Sequence, residues 1–266
     1  MFFDEWVARR YAVLWPELFA PAVVDPAVKF LATLAGAGGA GGGGAHLAGG
    51  GGAHLAGAGS ALELGIGTGR VALPLSRAGV RVRGIELSTP MVRQLRAEPG
   101  GGDIDVTIGD LASVTVGEQF ALVYLVRNTI TNLTGQDHQV QAFRNAARHL
   151  TPGGFFVIEN YIPQLRRLPS GETKHVFVHT PTHLGFEEYD LASQIAYSHH
   201  HWVIDGELRQ FSTPHRYVWP AELDLMARIA GLELRQRWSD WNRAAFTGDS
   251  QSHISVWQKP ARPTAH

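Results

Sequence analysis

The sequence predicts an α/β domain built on a mainly parallel sheet with helices on both faces. Three observations carry that prediction. Apolar, strand-like runs alternate with amphipathic helical runs from residue 61 to residue 160. From Tyr161 the pattern changes to a period of two, which marks antiparallel strands. A last helical run is then followed by two more strand-like runs.

Residues 1–35 read as two helical segments broken near Pro16 and Pro21. Trp6, Tyr11, Trp15 and Phe19 fall on one apolar face, which either packs on a core or closes over a pocket as a lid. Residues 36–60 form a glycine-rich linker with one octapeptide written twice, "GGGGAHLAGGGGAHLA". Polyglycine resists ordering, because each glycine gives up more backbone freedom than any other residue. The run also lacks the preceding strand and fixed glycine offsets of a phosphate loop. His46 and His54 recur within it without the further ligands a metal needs.

The alternating core, residues 61–160, begins with "ALELG", a buried strand, followed by "RVALPLSRAG", a helix stopped by Gly79. "VRVRGIEL" is a strand. "TPMVRQLRAE" is a helix with Thr89 as its cap and Pro90 at the first helical position. "DVTIGD" and "FALVYLV" are strands, "QDHQVQAFRNAARHL" a helix, and "FFVIEN" a strand after the "TPGG" turn. Within residues 161–220, "KHVFVHT", "SQIAYSHHHWVI" and "LRQFSTPHRYVW" read as antiparallel strands, with Asp205-Gly206 as a turn between two of them. "PAELDLMARIAG" is a helix, and "LELRQRW" and "HISVWQK" close residues 221–260 before a short tail at 261–266.

Composition narrows the function. The chain has 266 residues, 44% hydrophobic and 18% charged, with a formal net charge of -1, so a nucleic-acid partner is not expected. No cysteine is present, which excludes disulfides, thiolate zinc sites and a cysteine nucleophile. No secretory leader or membrane span is legible, and a cytoplasmic location is expected.

The chemistry gathers at "ALELGIGTGR". A strand runs into Gly65, Gly67 and Gly69, and a helix is expected to begin at Arg70, offering unpaired amides to an anionic group. The dinucleotide pattern requires a glycine where Arg70 stands. Glu63 precedes the loop. Glu86, with Leu87, ends the next strand, placed for ribose hydroxyls, and Asp110 ends the third.

This constellation resembles the class I S-adenosylmethionine-dependent methyltransferases over roughly residues 61–160. It is similar, more loosely, to bacterial amino-sugar and small-amine N-methyltransferases. The resemblance implies a Rossmann-like, seven-stranded, mostly parallel sheet with an antiparallel last strand, plus an antiparallel β insertion over the active site. S-adenosyl-L-methionine is the implied cofactor, leaving as S-adenosyl-L-homocysteine. Glu63, Gly65, Gly67 and Gly69 would hold its methionine end, and Glu86, next to Leu87, its ribose. Asp110 would bond the adenine amino group with Leu111 beside it, while Val126 and Arg127, in "LVRNT", would line the sulfonium. Arg70 either pairs with the cofactor's carboxylate or points to solvent. Glu63 has the alternative of a cap or core-edge hydrogen bond.

The expected reaction is in-line methyl transfer to N or O of a small organic acceptor. The alternatives are a cyclisation or dehydration on the same cofactor, or a protein that binds the cofactor without turnover. A base is needed only for a protonated acceptor. Nine of the thirteen histidines follow Tyr161. In "YSHHHW", His199 and His201 share one strand face and are the candidates to meet the acceptor; the alternatives are a metal pair or packing histidines. Tyr11, on the lid helix, is the third catalytic candidate. No metal site is expected, and the chain is expected to be a monomer or homodimer.

Overall fold

The computed structural model describes residues 4–36 and 59–261. The tandem octapeptide and its two histidines lie outside the described residues. Helix α1 (Glu5–Leu14) starts at Asp4, whose carboxylate accepts from the amides of Trp6 and Val7 at 2.9 Å. A 3₁₀ turn opened by Pro16 follows, and Pro21 opens α2 (Pro21–Ala35). Both prolines stand in first helical turns, where their missing N–H costs nothing.

The alternating core gives β1 (Ser60–Leu64), α3 (Ala72–Arg77), β2 (Arg81–Glu86), α4 (Thr89–Ala97), β3 (Asp105–Ile108), β4 (Phe120–Leu125), α5 (Gln136–His149) and β5 (Leu150–Tyr161). The cap of α4 is Ser88 rather than Thr89. Its hydroxyl accepts from the Met91 amide at 3.3 Å, and Thr89 opens the helix with Pro90 behind it. Likewise α3 begins at Ala72, two residues after the expected Arg70, because the turn between them is not yet helical.

The insertion is a separate four-stranded antiparallel sheet, β6 (Lys174–His179), β7 (His183–Asp190), β8 (Ile195–Ile204) and β9 (Glu207–Arg216), in that order. β7 is not legible in the sequence pattern, since "HLGFEEYD" has three acids, two of them adjacent, where apolar alternation is sought. Asp205 and Gly206 both take positive φ in the β8–β9 turn, the geometry a two-residue hairpin needs. Helix α6 (Pro220–Ile229), β10 (Glu233–Trp238) and β11 (Ser252–Gln258) complete the main sheet.

That main sheet has seven strands in the order β10-β11-β5-β4-β1-β2-β3. All neighbours from β5 to β3 are parallel, and β11 runs antiparallel to both β5 and β10. Helices α5 and α6 bury Phe143, Leu223 and Met226 against one face; α2, α3 and α4 bury Leu31, Leu75 and Leu95 against the other. Chain order reverses at the neighbouring β1 and β4. A crevice opens beyond the carboxyl ends of strands at such a reversal, where open α/β sheets place their ligands.

Candidate active site

A cavity of about 470 Å³ lies at that reversal. It is within the size range, roughly 300–1,000 Å³, that holds a small molecule or cofactor. The loop after β1 forms its floor. Gly65 has φ +78°, and a Cβ there would stand 2.6 Å from the Thr129 side chain, so only glycine lets the loop lie against the turn after β4.

The acids at the strand ends have distinct environments. Glu63 is buried and accepts a hydrogen bond from the Tyr124 hydroxyl at 2.9 Å. Burial pushes its carboxyl up to about 8, opposed by that bond and by the nearby Arg70 charge. Glu86 accepts from the Gly67 amide at 2.9 Å with one oxygen and from the Ser88 amide at 2.8 Å with the other. It therefore ties the glycine loop to the end of β2. Burial raises its pKa, and the amides of Ser88, Gly67 and Leu87 act against that. Asp110 accepts from the Ala112 amide and meets His138 of α5 at 2.8 Å.

Beyond β4 the backbone is strained. Arg127 and Asn128 both have positive φ, 54° and 60°, which non-glycine residues rarely adopt. Glu159 holds them there: its side chain accepts from the Arg127 amide at 2.8 Å and its carbonyl accepts from the Asn128 amide at 3.2 Å. Strain of this kind, on the order of 1–3 kcal/mol per residue, persists where surrounding structure over-determines it and clusters at functional sites.

Of the residues singled out from sequence, Tyr11, Glu63, Gly65, Gly67, Arg70, Glu86, Leu87, Asp110, Leu111, Val126 and Arg127 line this cavity. Arg70 donates to the Leu18 carbonyl at 3.2 Å, so it neither points freely to solvent nor lacks a partner. Gly69 does not line the cavity. Its φ is +80°, and a Cβ would meet Leu95 at 2.3 Å and Leu73 at 3.1 Å, so it lets α3 seat against α4. Gly69→Ala is expected to lower stability by about 2 kcal/mol, from overpacking and the left-handed φ. Urea unfolding measures this; an unchanged midpoint would exclude the packing role.

The insertion's histidines need a correction. His199 and His201 sit on the outer face of the four-stranded sheet, stacked on Phe186 at 4.6 and 5.9 Å, and line neither cavity described here. His199 also contacts Ser212 at 2.7 Å. The alternation of β8 turns His200 inward instead, where it lines a second cavity of about 210 Å³. The alternation of β8 defines two faces, and which one looks inward depends on its pairing with β7. His138 carries no sequence signal, because its partner Asp110 lies on another element.

This second cavity lies under the insertion and shares Tyr11, Arg127, Asn132 and Thr213 with the first. Trp15 meets His200 and Trp202 edge-on at 6.1 and 6.2 Å, so the N-terminal segment packs against the insertion across the cavities. Among the described residues no cluster of three or more histidines, aspartates or glutamates is arranged to hold a metal. None of their helices is long and apolar enough to cross a membrane.

Residues 61–154 match the family described as a methyltransferase domain. The solved CcbJ methyltransferase from Streptomyces caelestis is 35% identical, with a TM-score of 0.73, and the match covers 89% of each chain. The chain belongs to the class I S-adenosylmethionine-dependent methyltransferases. The methyltransferase is also 28% identical, over 74% of its length and 82% of the relative's, to the cypemycin N-terminal methyltransferase of a Streptomyces species. The fold, at 19% identity and TM-score 0.57, is shared with CalS10, a SAM-bound amino pentose methyltransferase from Micromonospora echinaspora; that match covers 76% and 84% of the two chains. S-adenosyl-L-methionine is thus the cofactor of this enzyme, and the residues of the larger cavity fit it chemically. They combine carboxylates for hydroxyl and amino donors, an apolar wall from Ile66, Leu87, Met91 and Val126, and the Thr68 hydroxyl, which is buried without a partner among the described residues.

Proposed function

We propose that the enzyme methylates the nitrogen of a small amine, with the cofactor in the larger cavity and the acceptor in the smaller. The observation that carries this reading is the pair of adjoining cavities, one lined by the glycine loop and strand-end acids, the other by polar side chains under the insertion. Nitrogen is favoured over oxygen because the cypemycin relative is by name an N-terminal methyltransferase. Of the expected alternatives, cyclisation and dehydration gain no supporting observation.

In this reading Glu86 accepts the ribose hydroxyls with the lone pairs that its two amide bonds leave over. Asp110, oriented by His138, receives the adenine amino group, with Leu111 beside the ring. Glu63 faces the methionine ammonium, and Gly65 and Gly67 let the backbone approach. Val126 and Arg127 border the sulfonium, and Arg70 joins the loop to the N-terminal segment, residues 4–35 as described, which acts as a lid. When bound, the cofactor supplies a methyl carbon activated by positive sulfur. The protein's share is orientation and exclusion of water, which effective-molarity comparisons value at several kcal/mol. Tyr11 stands where both cavities meet and is placed to orient the incoming nitrogen.

Glu63 gives a pH test. With its carboxyl at about 8 in the free enzyme, it is protonated below that pH. An ammonium beside it favours the ionised form, so binding below pH 8 expels a proton. S-adenosylhomocysteine affinity is therefore expected to rise with pH, up to about tenfold per unit between pH 6 and 8, and then flatten. Calorimetry in buffers of different ionisation enthalpy should register the released proton. Pairing independent of pH over that range would remove Glu63 from the ammonium site.

The reading as a whole is tested by incubating the enzyme with S-adenosylmethionine and a panel of amines, phenols and alcohols, and measuring S-adenosylhomocysteine. Turnover confined to amines is expected. Turnover of alcohols or phenols alone would replace N-methylation by O-methylation.

A further inference from the structure

Among the described residues one acid, Glu187, lines the smaller cavity; His175 stands opposite it on β6, and no lysine or arginine pairs with it. Glu187 lies on β7, on the same inward face as Ser198, His200, Thr213 and His215. The groups acting on its carboxylate are the hydroxyls of Tyr189 and Ser198 and, through space, His175; no lysine or arginine is among them. Arg127, the one arginine among the described residues that lines this cavity, stands at the shared opening. A desolvated carboxylate held by hydroxyls alone, with no lysine or arginine beside it, is costly, and charge pairing is the usual remedy.

Other groups in the cavity converge on the same need. The Tyr161 hydroxyl is buried with no partner among the described residues, and it is close enough to Glu187 to feel its charge. Burial pushes His200 and His215 down to about 4, so both rings are neutral near pH 7 and neither supplies the missing cation. Neutral imidazoles, hydroxyls and the Asn128 amide can instead bond to donors and acceptors of a polar ligand.

Position fits a substrate anchor. Thr213, Ser198 and Glu187 stand opposite one another on three adjacent strands, from the shared opening inward. Neighbouring strands are about 4.8 Å apart, so this row spans roughly 10 Å. A ligand lying along it would touch Glu187 at one end and the cofactor cavity at the other.

We infer that Glu187 and Tyr161 bind a protonated aliphatic amine of the acceptor, distinct from the unprotonated nitrogen that receives the methyl at the cofactor end, and thereby select cationic substrates. This rests on the assignment of the smaller cavity to the acceptor. The same ammonium chemistry is offered by an amino sugar and by the free N terminus of a peptide.

The test uses the full chain saturated with S-adenosylhomocysteine. D-glucosamine and trialanine amide are titrated by calorimetry, each against its N-acetylated counterpart, which keeps the skeleton and removes the charge. Wild-type enzyme is expected to bind at least one amine about tenfold or more tighter than its acetylated form, the equivalent of one charge-assisted contact. The stronger of the two responses identifies the source. Glu187→Gln keeps the shape and is expected to bring that ratio close to one, while Tyr161→Phe weakens amine binding about threefold. Both variants should retain wild-type affinity for S-adenosylhomocysteine, which certifies their fold. No preference for the charged form in the wild type, no binding of either amine, or a preference that survives Glu187→Gln would overturn the inference and leave the cofactor assignment standing. Failure of the wild type to bind S-adenosylhomocysteine would instead strike the reading beneath it.

Discussion

Glu86→Ala is expected to weaken S-adenosylhomocysteine binding by two orders of magnitude or more. The carboxylate is nearly buried, borders the cofactor cavity and sits at the tip of β2. In the proposed arrangement it accepts two ribose hydroxyl bonds, each worth about 1.5–3 kcal/mol for a charged acceptor. Their sum corresponds to at least about a hundredfold in affinity. The substitution also releases the Gly67 and Ser88 amides, so the loop loses the bonds that hold its shape before the ligand arrives. Glu86→Gln keeps one carbonyl acceptor and should fall in between, at about tenfold. Calorimetric titration measures both, and a loss below about threefold for the alanine variant would remove Glu86 from the ribose site.

The second large effect falls on stability. Arg216 ends β9 and is 5% exposed. It donates to Gln139 of α5 at 2.6 Å, to Glu222 of α6 at 2.6 Å and to Gln194 at 3.2 Å. These bonds fasten the insertion, and with it the smaller cavity, to the main sheet's helices. Arg216→Ala is expected to cost about 2–4 kcal/mol, because the buried guanidinium's bonds are lost and the half-buried Glu222 is left without its charge partner. Replacing both partners, Arg216→Met with Glu222→Leu, should recover much of that loss, since no uncompensated charge remains. Urea denaturation reads each variant. A loss under about 1 kcal/mol for Arg216→Ala would mean that the network contributes little to attachment of the insertion.

Much of this arrangement is legible in the sequence, for physical reasons. Parallel strands buried on both faces leave long apolar runs, and Gly65, Glu86 and Asp110 stand at strand ends, where the chain must turn beside the crevice. The observed sheet order and the antiparallel β11 agree with the expected seven-stranded topology. What escaped depends on contacts between distant elements. His138 reaches Asp110 only because α5 packs beside the third strand's end. The positive φ of Arg127 and Asn128 is imposed by Glu159, a strand away. The histidines of β8 alternate visibly, yet their inward direction is set by β7, β9 and Trp15 together. Gly69 looked like part of a ligand loop, and only the positions of Leu73 and Leu95 give it a packing role.

A crystal structure of the full chain with S-adenosylhomocysteine bears most directly on the central claim. The ribose hydroxyls are expected on Glu86, the adenine beside Asp110 and Leu111, and the amino-acid end over residues 63–70. Adenosine lodged in the smaller cavity, or a ribose turned away from Glu86, would contradict it.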